Sequence, residues 1–213
     1  MPECNVCGGS SFAAAPNNRL SRKKQPPLCT ACGSLERQRI GRDLASAVRI
    51  RDKFKTYALL DVGKDATVPK GWFASNKVIE PTDSTIDRLG TDRGKFDFIV
   101  CSHVIQKLRD PKASIGRLLN SLSNDGILLL NYPSPVTRET TEQLATGYRT
   151  GGPRYIFGRD FEQAYRTVAP DTYVVAADGK DPVTQDTDIM YFLTKSPFWA
   201  TKMVKSMNAR LVQ

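Results

Sequence analysis

The chain lacks any apolar run near the roughly 20 residues that a membrane helix needs, so no segment is expected to lie within a bilayer. Its opening, MPECNVCGG, has neither the basic start nor the apolar stretch of a secretory signal. A cytoplasmic location with reduced thiols is therefore expected. Internal repeats and low-complexity segments are absent, which excludes solenoid and fibrous designs. The basic stretches carry no interleaved aromatics, which speaks against a base-stacking platform for single-stranded nucleic acid. Histidine occurs once, at position 103, so only one imidazole is on hand for acid–base work near neutral pH.

What is present suits a soluble globular protein: 213 residues, 40% hydrophobic and 25% charged. That length supports one main core and a small appendage. The net charge of +9 would attract phosphate-bearing partners or substrates, nucleic acid among them, although a share of it reads equally well as solvated surface. Basic residues are densest from Arg19 to Lys24 and from Arg37 to Lys55, which gives a positive N-terminal face.

The strongest signal is Cys4-Asn-Val-Cys7-Gly8 with Cys29-Thr-Ala-Cys32-Gly33, separated by the 21 residues from Gly8 to Leu28. Two sulfurs three positions apart fit one tight turn and take two corners of a tetrahedron; the second turn supplies the other two. Disulfides are unexpected in a reducing cytosol, so the pattern reads as zinc bound by Cys4, Cys7, Cys29 and Cys32. Four thiolates close the coordination sphere, making the zinc structural. The intervening loop is polar, basic and proline-bearing, too poor in core residues to fold without the metal. Cys101 stands apart, at the end of an apolar run, and reads as a small buried hydrophobe.

Beyond the cysteines, Leu35, Ile40, Leu44 and Val48 mark an amphipathic helix with Ser34 as its N-cap. Short apolar runs then follow at 57–63, 77–80, 96–103 and 126–132, each ending at a loop residue, with a helix between the last two capped by Asp110 and opened by Pro111. A helix started by Asp160 over 158–168 and strands at 173–177 and 189–194 complete the series. Apolar strands alternating with helices predict an α/β fold, a doubly wound and mostly parallel sheet with helices on both faces. Ligands of such sheets bind at the carboxyl ends of the strands, where Asp61, Gly63, Glu80, Ser102, His103, Asn131 and Tyr132 fall. The expected division is a zinc module over 1–36, an α/β domain over 37–195, and a basic tail over 196–213 that forms a docking helix.

With those residues in view, the chain resembles class I S-adenosylmethionine-dependent methyltransferases of the subgroup with an N-terminal zinc-knuckle pair. Three stretches carry the likeness: Cys29-Thr-Ala-Cys-Gly-Ser-Leu-Glu-Arg-Gln-Arg39, Phe96-Asp-Phe-Ile-Val-Cys-Ser-His-Val-Ile105 and Arg154-Tyr-Ile-Phe-Gly-Arg-Asp-Phe161. The resemblance implies a Rossmann-like methyltransferase domain whose cofactor, S-adenosylmethionine, would be held by Asp61, Gly63, Glu80, Asp87 and Ser102. Glu80, 19 residues after Asp61, would accept hydrogen bonds from the ribose hydroxyls, and Asp87 would approach the adenine. His103 would be the general base for a hydroxyl or amine acceptor, or else a hydrogen-bonded structural histidine beside the pocket. Tyr132, Tyr155 and Arg159 are further candidates for the substrate side.

The departures from that pattern matter equally. Where the cofactor loop usually reads Gly-x-Gly-x-Gly, Gly63 is followed by Lys64, Asp65, Ala66 and Thr67. The segment from Glu80 to Phe96 leaves little room for the usual third strand. Ile105-Gln106-Lys107-Leu108 stands where the family often has Leu-Glu-His-Val, which removes a carboxylate and an imidazole. Three readings remain at this point: methyl transfer to a small molecule or saccharide, a fold that has lost its cofactor and serves as a structural or regulatory protein partner, and a nucleic-acid methyltransferase or binder.

Overall fold

The computed structural model describes residues 2–48, 51–65, 67–133, 135–145 and 152–212. In the cysteine module, β1 (Phe12–Ala13) pairs antiparallel with β2 (Leu28–Cys29). Helix α1 (Glu36–Ala47) leads from it to α2 (Arg51–Phe54) and then to β3 (Ala58–Val62), the first strand of the main sheet. There follow β4 (Ser75–Ile79), α3 (Asp83–Arg88), β5 (Phe96–Ser102), α4 (Pro111–Ser121) and β6 (Leu122–Asn131). A two-stranded excursion, β7 (Glu142–Gln143) with β8 (Tyr155–Ile156), precedes α5 (Ala164–Val168), β9 (Tyr173–Lys180), β10 (Thr187–Thr194), α6 (Pro197–Met207) and β11 (Arg210–Leu211).

The seven-stranded sheet has the order β4-β3-β5-β6-β10-β9-β11. Strands β4, β3, β5 and β6 run parallel, β10 is antiparallel to β6, and β9 and β11 reverse direction in turn. The chain leaves β3 for β4 on one side and returns to β5 on the other. That reversal creates a crevice at the carboxyl end of β3, the place where open α/β sheets take ligands.

Continuous apolar strands arise because both faces are covered. Along β5, Ile99 and Cys101 face a cluster with Ile86 of α3, Ile115 and Leu118 of α4 and Tyr165 of α5. Phe98 and Val100 face the opposite cluster, with Ile40 and Leu44 of α1, Phe54 of α2 and Trp199 and Met203 of α6. Within the segment expected to be a basic tail with a docking helix, Trp199, Met203 and Met207 bury one face of α6, and β11 adds an edge strand beside β9. No strand lies between β4 and β5 among the described residues; α3 and a short turn fill that interval.

Two helix starts differ from the expectation. Ser34 does not cap α1; its hydroxyl lies 3.2 Å from the sulfurs of both Cys4 and Cys32, and the Gln38 side-chain oxygen instead accepts from the Leu35 N–H at 2.8 Å. Asp160 starts no helix either, because its carboxylate accepts from the Thr141 N–H and hydroxyl at 2.9 and 2.7 Å. Residues 159–163 form a tighter 3-10 turn before α5 begins.

The cysteine module is fastened to the sheet. Arg39 of α1 forks onto Asp181 at the end of β9, with bonds of 2.7 and 2.9 Å, and both side chains are fully buried. Gly179 of β9 lets α1 approach closely, since a Cβ there would collide with Ile40.

Candidate active site and metal centre

The four cysteine sulfurs lie within 4.8 Å of one another, with Cys4 to Cys32 at 3.8 Å and Cys7 to Cys29 at 3.6 Å. A tetrahedral zinc with Zn–S bonds of about 2.3 Å has sulfur–sulfur edges of about 3.8 Å, so the donor set fits that ion. All four are free thiols. The Gly9 N–H points at Cys7 Sγ from 3.4 Å, and the Ser34 hydroxyl serves two sulfurs, the outer-shell bonds that orient thiolate ligands.

The crevice at the end of β3 is built by backbone shape more than by glycine content. Gly63 sits at φ +95 and Lys64 at φ +58, so Lys64 adopts the left-handed conformation that a glycine takes more readily. Both are exposed. Beneath them Asp61 is buried and accepts the Asp65 N–H at 2.8 Å; burial raises its carboxyl above the ordinary aspartate range. Asp65 in turn accepts from the Thr67 N–H at 2.8 Å, from the Thr67 hydroxyl and from Gln38 of α1 at 3.3 Å. The loop is held by carboxylates and by α1. Glu80 follows β4 directly, is exposed, and its carboxylate makes no bond among the described residues.

Ser102 is buried at the end of β5, and His103 follows it at φ +57 with its N–H bonded to the Asn131 carbonyl at 2.8 Å. Gly63, Glu80, Ser102 and His103 therefore lie together at the carboxyl ends of β3, β4 and β5, with Asp61 buried beneath Gly63. Asp87 does not join them: it lies on α3, exposed and 3.2 Å from Arg117 of α4, beside Asp83 and Arg109.

On the other side of His103 opens a cavity of about 550 Å³. Its floor is His103, Pro133 and Asp188, and its wall is the cysteine module with the start of α1, including Arg19, Arg22, Glu36 and Arg37. Two carboxylates hold this wall: Glu36 takes the fork of Arg19 at 2.8 and 2.9 Å, and Asp186 accepts the backbone N–H groups of Arg22 and Lys23 at 2.7 and 3.1 Å. Much of the basic N-terminal face expected from the sequence is spent in this way, together with the Arg39 pair and Arg42, whose guanidinium stacks on Trp72 and donates to the Thr67 carbonyl.

Burial, reinforced by Arg37 and Lys107, lowers the His103 imidazole to about 3, so it is neutral at physiological pH; its Nε2 has no hydrogen-bond partner. Asp188, which sequence reasoning missed, moves the other way. Burial raises its carboxyl to about 6, against the pull of bonds from Ile189 N–H and the Asn131 amide at 2.9 and 3.4 Å. It sits one residue before an apolar run, with no motif to mark it.

The remaining candidates are structural or peripheral. Tyr132 is fully buried, stacked on Tyr191 and set against Phe157 and Phe161, and so belongs to the core. Cys101 is buried and its thiol is pushed well up by burial, as a packing residue should be. Tyr155 lines a second cavity of about 720 Å³ with Phe157 and Phe161, and Arg159 faces Glu139 at 3.9 Å. Gln106 is buried and donates to the His103 carbonyl at 2.7 Å, fixing the turn in which the family's carboxylate would stand.

Residues 18–166, well over half of the chain, match the methyltransferase-domain family. The chain belongs to that family. Its fold is Rossmann-like, and similar solved structures include the following three. The citrinin polyketide synthase CMeT domain is 16% identical with a TM-score of 0.42, over 65% of this chain and 46% of that one. A Thermotoga maritima S-adenosylmethionine-dependent methyltransferase, described as a possible histamine N-methyltransferase, is 13% identical with a TM-score of 0.40, over 76% and 94%. The Burkholderia thailandensis 1,6-didemethyltoxoflavin-N1-methyltransferase, solved with 1,6-didemethyltoxoflavin and S-adenosylhomocysteine, is 11% identical with a TM-score of 0.44, over 73% and 82%. The chain spans a little under half the length of the first of these. These likenesses concern the fold alone. No curated protein matches the chain. No helix among the described residues is long and apolar enough to cross a membrane.

Proposed function

We propose that this methyltransferase moves the methyl group of S-adenosylmethionine to a small molecule, a saccharide-type acceptor among the candidates, held in the cavity under the cysteine module. The observation that carries the reading is Glu80: an exposed carboxylate without a partner among the described residues, at the end of β4 and one strand from Gly63 at the switch point. In this reading Glu80 accepts from the ribose hydroxyls, the Gly63–Lys64 turn lies along the amino-acid portion, Asp61 holds that turn from below, and Ser102 borders the far side. Asp87, tied to Arg117, would reach the adenine only after leaving that pair. When bound, the cofactor supplies a methyl group on a sulfonium, already a good leaving group.

What the protein adds is alignment, which contributes several kcal/mol to such a reaction. His103 lines the cavity as a neutral imidazole whose buried Nε2 lacks a hydrogen-bond partner, and in this reading it accepts a proton from a hydroxyl or amine once the acceptor exposes it. Asp188 across the floor is a second acceptor, with a carboxyl better matched to neutral pH. Zinc in the Cys4, Cys7, Cys29, Cys32 site holds the wall and takes no part in chemistry, because four thiolates leave no open position. A cytoplasmic setting keeps those thiols reduced.

Label transfer tests the acceptor class. The protein is incubated with S-adenosylmethionine labelled on the methyl group, together with a small-molecule extract, a saccharide extract or total RNA. Label in the small-molecule or saccharide fraction is expected. Label in RNA would replace this acceptor class, and label in no fraction would favour a fold without catalysis.

A further inference from the structure

Three arginines line the acceptor cavity, and two of them have counter-ions. Arg19 is forked onto Glu36, and Arg22 holds Asp186 and donates to the Thr187 carbonyl. Arg37 forms no ion pair or hydrogen bond among the described residues, and its Nε is buried without a partner. Burial lowers its pKa, yet a guanidinium stays charged in any protein setting. The carboxylates of Asp65, Glu36 and Asp188 favour its charge from a distance, but none forms an ion pair with it, and the neighbouring His103 is uncharged.

The position of Arg37 is equally specific. It stands in the first turn of α1, and the next residue, Gln38, reaches Asp65 of the loop after β3 at 3.3 Å. The Arg37 side chain itself lines the cavity together with His103 and Asp188. Its planar fork matches a carboxylate or phosphate, two parallel N–H bonds to two oxygens. Resting on the methyltransferase reading for what occupies the site, we propose that Arg37 anchors a carboxylate or phosphate group of a bound molecule. Two sources offer that chemistry: an anionic group on the methyl acceptor, or the amino-acid carboxylate of the cofactor.

Titration calorimetry on the zinc-loaded wild type, Arg37→Gln and Arg37→Lys separates them, with circular dichroism and zinc content confirming that each variant folds. The probes are S-adenosylhomocysteine, 5′-methylthioadenosine, which lacks the amino-acid carboxylate, and inorganic phosphate or benzoate added with S-adenosylhomocysteine in place. If the acceptor supplies the anion, phosphate or benzoate binding weakens about tenfold or more in Arg37→Gln while S-adenosylhomocysteine is unaffected. If the cofactor supplies it, S-adenosylhomocysteine weakens by that factor while 5′-methylthioadenosine does not. Arg37→Lys, which keeps the charge and loses the fork, should fall between wild type and Arg37→Gln in either case. Wild-type affinity of Arg37→Gln for every probe would overturn the proposal. Should S-adenosylhomocysteine fail to bind wild type while phosphate binding still depends on Arg37, the methyltransferase reading would fall and the anchor would stand.

Discussion

The two walls of the site are made differently. On the cavity side, the cysteine module, α1 and the β9–β10 connection are joined by buried or forked ion pairs, while Arg37 Nε and His103 Nε2 are left without hydrogen-bond partners. On the cofactor side, Gly63, Lys64 and Glu80 are exposed at the rim. One wall is fixed by its own contacts apart from Arg37 and His103, and the other is open to solvent. Substitutions should therefore separate into those that cost stability and those that cost binding.

Zinc removal should have the largest effect. Structural zinc contributes roughly 10 kcal/mol or more in small modules, and the module here braces the sheet through Arg39. Chelation, or Cys29→Ser, should lower Tm by about 10 °C or more, with one zinc per chain released from wild type. An unchanged Tm would mean that the wall stands without metal.

Asp181→Asn comes next. It strands the buried Arg39 guanidinium and loosens Thr184, whose N–H and hydroxyl both donate to Asp181. Urea unfolding should register a loss of about 3–5 kcal/mol. The double variant Arg39→Met with Asp181→Leu should recover part of it, and a single variant as stable as wild type would contradict the fixed-wall picture.

Asp188 should show a smaller effect of opposite sign. Its carboxyl is raised to about 6 in the folded protein, so the native state binds a proton more tightly than the unfolded chain. The group's contribution is thus fully present below about pH 4 and is lost as pH rises through about 6. Asp188→Asn should stabilise the protein at pH 8 by about 2 kcal/mol, with the difference vanishing toward pH 4. Denaturant curves at both pH values test this, and a variant less stable at pH 8 would count against it.

Glu80→Ala should change stability least, within about 0.5 kcal/mol, because the side chain is exposed and without a partner among the described residues. A large loss would make Glu80 part of a fixed wall.

The same contrast explains what was legible in the sequence. The cysteine pairs, the strands that end at Val62, Ile79, Ser102 and Asn131, and the capped helix at Asp110 were readable because each depends on local chemistry: metal spacing, apolar runs, a cap followed by proline. The cavity wall was not, because it is made of partners far apart in the chain. Arg39 meets Asp181 across 142 positions, and Asp188 acquires its raised carboxyl only by folding beside Asn131. Ser34 and Asp160 misled for a related reason. Each is a good helix cap by type, and tertiary partners, cysteine sulfurs for one and Thr141 for the other, took the side chain elsewhere. The missing glycines were visible, whereas the left-handed backbone of Lys64 that preserves the turn was not.

The most direct test is calorimetric titration of the zinc-loaded protein with S-adenosylhomocysteine, repeated on Glu80→Ala after its Tm is shown to equal that of wild type. One site per chain, lost or weakened at least tenfold in the variant, is the predicted result. Absence of binding to wild type at millimolar ligand, or equal binding by both proteins, would contradict the assignment of the open wall to the cofactor.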